Sequence, residues 1–154
     1  MSVPQFGAPE PGRDYPDRPA AFALVQRDGK IALVRVSFEG GGGRTDLPGG
    51  GIDSGETAAE AAIRECGEEA GPVIEIDEPE PFAWADHFFV NEKGVARNTR
   101  GAFFAARLVR EDPSLKIEDD HALVWTEPCE AIVALDRESH VWAVAAWLRR
   151  RRRG

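Results

Sequence analysis

The segment Thr57 to Pro72 most constrains this chain, because both of its ends are punctuated. Thr57-Ala-Ala-Glu60 reads as a capping box, in which the hydroxyl accepts from an orphan N–H and Glu60 reaches back. Gly71 stands where a left-handed residue closes a helix, and Pro72 cannot continue one. The punctuation predicts a helix over 58–70. At 100° per residue, Ala59, Ala62, Ile63, Cys66 and Ala70 fall on one apolar stripe. Glu65, Glu68 and Glu69 gather on an arc beside it, and Glu60 and Arg64 lie on the far side. Three carboxylates at i, i+3 and i+4 repel and destabilise a helix unless a cation neutralises them. Such a set is also what a merely solvated acidic face looks like. If a metal is held, hard oxygen donors suit Mg²⁺ or Mn²⁺ rather than zinc.

Upstream the chain is rich in glycine: four follow Glu39, and Leu47-Pro48-Gly49-Gly50-Gly51 leads toward the helix. Before that, Phe22 to Val36 reads as a β-hairpin turning at Asp28-Gly29. Strands are expected over 73–76, 81–90, 99–109 and 123–126, with a loop over 91–98. Short helices are expected over 128–135 and 139–150, the last with Val141, Val144, Ala145 and Leu148 on one face. Strands with interspersed helices and no regular βαβ rhythm point to an α+β fold, an α/β/α sandwich.

The spacing Gly50-x5-Glu56-x7-Arg64-Glu65-x-x-Glu68-Glu69-x-Gly71 resembles the signature of the Nudix hydrolase superfamily, and all seven fixed positions match. Two positions depart from it. Pro72 stands in place of the terminal apolar residue, and Thr45 in place of an aromatic that many members carry before Leu-Pro-Gly-Gly. The resemblance implies a Nudix-type α/β/α sandwich with a mixed sheet, with 20–154 as the domain and 1–19 as an N-terminal arm. It implies a metal-dependent pyrophosphohydrolase that cleaves a nucleoside diphosphate linked to another group, with water attacking phosphorus. Glu68, Glu69 and the Gly49 carbonyl would hold Mg²⁺ or Mn²⁺, and Glu65 would be a further ligand or the general base. Arg64 would steady the glutamates with Glu56. A downstream acid often completes such sites. Asp119 is the first candidate here, with Asp120 and Glu118 as the others and His121 as an alternative base.

The substrate is less legible. At the positions where some subfamilies carry a marker Pro or Tyr, this chain has Asp86-His87 and Phe88-Phe89. Trp84, Phe88 and Phe89 could stack on a base, but alternating aromatics in a strand are more often core. Arg35, Arg44, Arg97 and Arg100 suit phosphate contact or plain solvation. In 154 residues, 19 basic against 27 acidic side chains give a net charge of −8, which argues against a general nucleic-acid partner. Arg149 to Arg153 are the exception, and they keep an RNA 5′-end pyrophosphohydrolase as the alternative, beside a non-catalytic nucleotide-binding module. Two cysteines without a disulfide framework, a polar N-terminus and short apolar runs predict a cytoplasmic protein with no membrane segment. A small nucleotide is the expected partner, and a homodimer is left open.

Overall fold

The structure is a computed structural model and describes residues 2–154. Strands β1 (Gln5–Phe6), β2 (Asp17–Arg27), β3 (Lys30–Ser37), β4 (Gly43–Asp46) and β5 (Gly49–Gly51) precede helix α1 (Ala58–Ala70). Strands β6 (Pro72–Ile76), β7 (Ala83–Val90), β8 (Ala96–Glu111) and β9 (His121–Thr126) follow, then α2 (Pro128–Ala134) and α3 (Glu138–Arg153). The main sheet path is β1-β7-β8-β2-β3-β4, with β5 on β2, β6 on β8 and β9 on β3. It is mixed: β2 and β8 run parallel over ten registered pairs, and β7 and β8 run antiparallel.

Strand β2 shows why the chain layers as it does. Successive side chains of a strand point to opposite faces. Ala20, Phe22 and Leu24 enter one core, with Ala143, Val144 and Trp147 of α3. Ala21, Ala23 and Val25 enter another, with Ala61, Ala62 and Cys66 of α1. The sheet is therefore sandwiched between α1 and the pair α2/α3. A strand buried on both faces reads as a continuous apolar run, as 20–25 does.

The hairpin turns at Asp28 (φ 49°) and Gly29 (φ 79°), both left-handed, as a two-residue turn of this type requires. Helix α1 has the predicted bounds. Thr57 accepts from the Glu60 N–H, and Gly71 closes the helix at φ 97°. Its buried face is turned from the expected one: Ala61, Gly67 and Glu69 are buried with Ala62 and Cys66, while Ile63 is exposed. The facing sheet offers many small side chains, Ala21, Ala23, Ala32, Ala102 and Ala106, together with Val25, Ile74 and Phe104, and the small residues Ala61, Ala62, Cys66 and Gly67 of α1 pack against them. The face of α3 is likewise shifted, to His140, Ala143, Val144 and Trp147. The expected 91–98 loop is shorter, since β8 begins at Ala96. The arm lies on the sheet, with Gln5–Phe6 pairing along Asp86–His87, and β2 starts within the expected arm at Asp17. Among the described residues, no helix is long and apolar enough to cross a membrane.

Candidate active site

Two strand–helix junctions bring the motif together. β5 pairs with β2, setting Gly49 opposite Phe22 and Gly50 opposite Ala21. Gly49 has φ 151°, and a Cβ there would run into the Ala21 carbonyl. Its N–H donates to Glu69 Oε1 at 2.7 Å. Gly50 is needed for space alone, because a Cβ would lie 2.7 Å from the Glu65 carboxyl carbon. The glycine loop thus packs directly against two of the helix carboxylates.

Arg64 organises the rest. Its Nε and Nη2 donate to the two oxygens of Glu56 at 2.8 and 3.0 Å, a bidentate pair. Its Nη1 donates to both Glu65 and Glu68 at 3.0 Å, and Nη2 also donates to the Gly51 carbonyl. One guanidinium therefore ties three glutamates to the loop. The Arg64 hydrogen bond draws the Glu56 carboxyl down to about 2.

Glu65 and Glu69 line a cavity of about 180 Å³. Burial raises the Glu65 carboxyl above its usual range, with Arg64 opposing. Burial pushes Glu69 well above its usual value, against the Gly49 N–H, and Glu65, Asp46 and Glu118 push it further. His121 Nε2 stands 3.5 Å from Glu69 Oε2, and its Nδ1 is 2.7 Å from Asp120.

The downstream acid at this cavity is Glu118; Asp119 is exposed and does not line it. The last carbonyls of a helix lack partners within it. Here the Glu68 carbonyl accepts from the N–H groups of Ile117 (2.8 Å) and Glu118 (3.1 Å), which fixes the loop beside the helix end. That leaves Glu118 facing the cavity and Asp119 facing away. Glu118, Asp120 and His121 present ligand atoms within 4.8 Å of one another. Glu68 does not line this cavity; its carboxylate accepts from Arg64. Arg18, Asp46 and Arg137 also line the cavity, and no sequence pattern singled them out, since they lie far from the motif and from one another.

A buried carboxylate beside two others is costly unless positive charge offsets it. The all-oxygen donor set fits a hard divalent cation.

A sequence model of the NUDIX domain matches residues 16–148. The chain belongs to the Nudix family. It is 33% identical over 115 residues to an RNA pyrophosphohydrolase of Sphingopyxis alaskensis, covering 69% of this chain and 72% of that protein. It is 48% identical over 64 residues to an RNA pyrophosphohydrolase of Gluconobacter oxydans, but that match spans 36% of this chain and 33% of that protein. Its fold is similar to a NUDIX hydrolase from Nitrosomonas europaea, with TM-score 0.71 and 18% identity over 85% of this chain and 88% of the other. Nudix hydrolases typically use divalent metals, and the donor set described above accords with that.

Proposed function

We propose that this Nudix protein is a pyrophosphohydrolase that cleaves a nucleoside diphosphate linked to another group. The observation that carries this reading is the packing of Glu65 and Glu69 against the Gly49–Gly50 loop, with Arg64 bridging Glu56, Glu65 and Glu68. Glu68, Glu69 and the Gly49 carbonyl would hold Mg²⁺ or Mn²⁺, with Glu118 taking the part expected of Asp119. A divalent ion so held supplies charge neutralisation on phosphate oxygens and lowers the pKa of water.

The chain's own residues do the rest. The water oxygen bonds to phosphorus, the bridging P–O bond breaks, and the leaving phosphate oxygen departs with the electron pair. Glu65 is the base that takes a proton from the water at a carboxylate oxygen. Burial raises its affinity for protons, in the direction a proton acceptor needs. Arg64 is a positioning residue: it holds Glu65 and Glu68 through one nitrogen and is itself fixed by Glu56. We read residues 1–19 as an arm on the catalytic unit 20–154. We place its work in the cytoplasm, consistent with two cysteines that are both free.

The test is a substrate panel with Mg²⁺ or Mn²⁺: nucleoside diphosphate sugars, dinucleoside polyphosphates, nucleoside triphosphates and triphosphorylated RNA. Hydrolysis of at least one is expected, and no turnover of any by folded protein refutes the reading. Glu68→Gln is expected to abolish that turnover at an unchanged melting temperature, and an unchanged rate would remove Glu68 from the metal site. The names of the two bacterial relatives favour the RNA 5′ end as a second reading.

A further inference from the structure

Three consecutive residues, Thr45, Asp46 and Leu47, lead into the glycine loop, and the junction between α2 and α3 holds each of them. Strand β4 ends the main sheet path, so one of its edges has no strand beside it. Asp136 fills that edge: its Oδ2 accepts the Thr45 N–H at 2.7 Å, and its own N–H donates to the Thr45 carbonyl at 3.1 Å. Arg137 Nε stands 3.2 Å from Asp46 Oδ1, while Arg44 Nε holds the other oxygen at 2.8 Å. His140 Nδ1 accepts the Leu47 N–H at 3.1 Å. Next along the chain, the Pro48 carbonyl accepts from the Ala23 N–H at 2.9 Å, and the Gly49 N–H donates to Glu69. The junction is itself anchored, since Ser139 Oγ lies 3.0 Å from His87 Nδ1 of β7.

Local stability does not account for these side chains. Arg137 is the N-cap residue of α3 and makes no side-chain cap bond. Short polar side chains are preferred there, and the positive end of the helix dipole opposes a cation. His140 is fully buried, and with Nδ1 accepting, its Nε2 carries the proton and finds no hydrogen-bond partner. A buried donor left in that state is unfavourable. A buried ion pair such as Asp46–Arg137 is likewise a weak source of stability. Residues that break local rules and converge on one segment mark a functional constraint. What they converge on is the backbone that delivers Gly49, with only Pro48 between it and Leu47.

We propose that Asp136, Arg137 and His140 form a clamp that positions the Gly49 carbonyl and N–H, and through them the cation and Glu69. This rests on the hydrolase reading above, in which the Gly49 carbonyl is a metal ligand. Asp136 and His140 do not line the carboxylate cavity, so they act through the loop; Arg137 lines it as well. All three are positioning residues, and a small displacement of a metal ligand is enough to cost affinity and rate.

Asp136→Ala is the variant of choice, because the side chain is exposed and its loss leaves the core intact. Its Mn²⁺ Kd, measured by calorimetry, is expected to rise about tenfold, and kcat to fall by a similar factor with KM little changed. Hydrogen exchange over 45–51, followed by mass spectrometry, is expected to quicken. Asp136→Asn keeps an oxygen acceptor for the Thr45 N–H and is expected to recover most of the Mn²⁺ affinity. His140→Leu removes the acceptor for the Leu47 N–H and is expected to lose Mn²⁺ affinity too; if it does not fold, the two Asp136 variants decide. A lower melting temperature in Asp136→Ala, with parental Mn²⁺ Kd and parental exchange over 45–51, would assign the junction a structural role alone and overturns the clamp. A parent that binds no Mn²⁺ overturns it as well. If the parent binds Mn²⁺ but hydrolyses nothing, the hydrolase reading fails alone, and the Kd and exchange rates of the variants still decide the clamp.

Discussion

Glu69 carries two opposed demands. Its side chain is buried, accepts the Gly49 N–H, and faces Glu65 and Glu118 across the cavity. Without a cation its charge works against the fold, since burying a charge beside like charges is unfavourable. A glutamine can keep the Gly49 bond and discard the charge. Glu69→Gln is therefore expected to melt higher than the parent in chelator, by about 1 kcal/mol or roughly 2–4 °C. In Mg²⁺ the parent should gain and the variant should gain less. Thermal melts in the two buffers check this, and a variant that melts lower in chelator contradicts it. Arg64 lies at the other pole. It joins Glu56, Glu65 and Glu68, so its charge is compensated several times over and it fixes what surrounds it.

Among the elements, β5 and α1 form one device. Gly50→Ala would set a Cβ 2.7 Å from the Glu65 carboxyl carbon, and Glu65 would have to swing away from Arg64. Turnover is expected to drop at least about tenfold while the melting temperature changes little. Kinetics and a melt on the same preparation test this, and full activity would show that Glu65 need not lie against the loop. The ends of α1 were legible because Thr57 and Gly71 act through local hydrogen bonds and a local φ angle. Its buried face was not, because which side of α1 meets the sheet is set by residues contributed from β2, β3 and β8, which no helical wheel contains. Glu118, the downstream acid that lines the cavity, was one of three adjacent candidates. What chose it over Asp119 is a pair of backbone bonds to the Glu68 carbonyl, and those are independent of side-chain identity. Arg44 and Arg97 were visible as candidate phosphate contacts, but Arg18 and Arg137 join them in one hollow only through the folding of four separate segments.

The whole molecule keeps its charges in separate places. The arginines at the end of α3 sit at the negative end of a helix dipole. Arg151 covers Trp147, Arg150 reaches Glu78, and none of the tail lines the carboxylate cavity. The tail therefore adds no charge to it. Global stability depends on an uncharged group as well. His140 is fully buried between Phe22 and Phe103, and its Nδ1 accepts the Leu47 N–H at 3.1 Å. Burial holds its pKa well below 6.5, and the nearby Arg137 adds to this. An unfolded histidine binds a proton below 6.5 where the folded one does not, so this contribution is whole above 6.5 and is lost as pH falls. Glu65 and Glu69 act in the opposite sense, because their raised affinities favour the folded state on acidification. Comparison with His140→Gln separates the two. The variant should melt lower at pH 7, and its deficit should narrow by pH 5. A constant deficit across that range would mean that His140 titrates alike in both states.

The Glu68 carbonyl, gripped by two amides of the 112–120 loop, also binds the two segments to one fate. The last turn of α1 and the loop that carries Glu118 are joined by these bonds and by that of the Asp112 N–H to the Gly71 carbonyl at 2.9 Å, so opening one segment breaks bonds of the other. A transient fraying of the helix end would withdraw the downstream acid at the same moment as it loosens Glu68 and Glu69. Such a local opening would take the site apart as a unit, and a bound cation that touches both segments would oppose it.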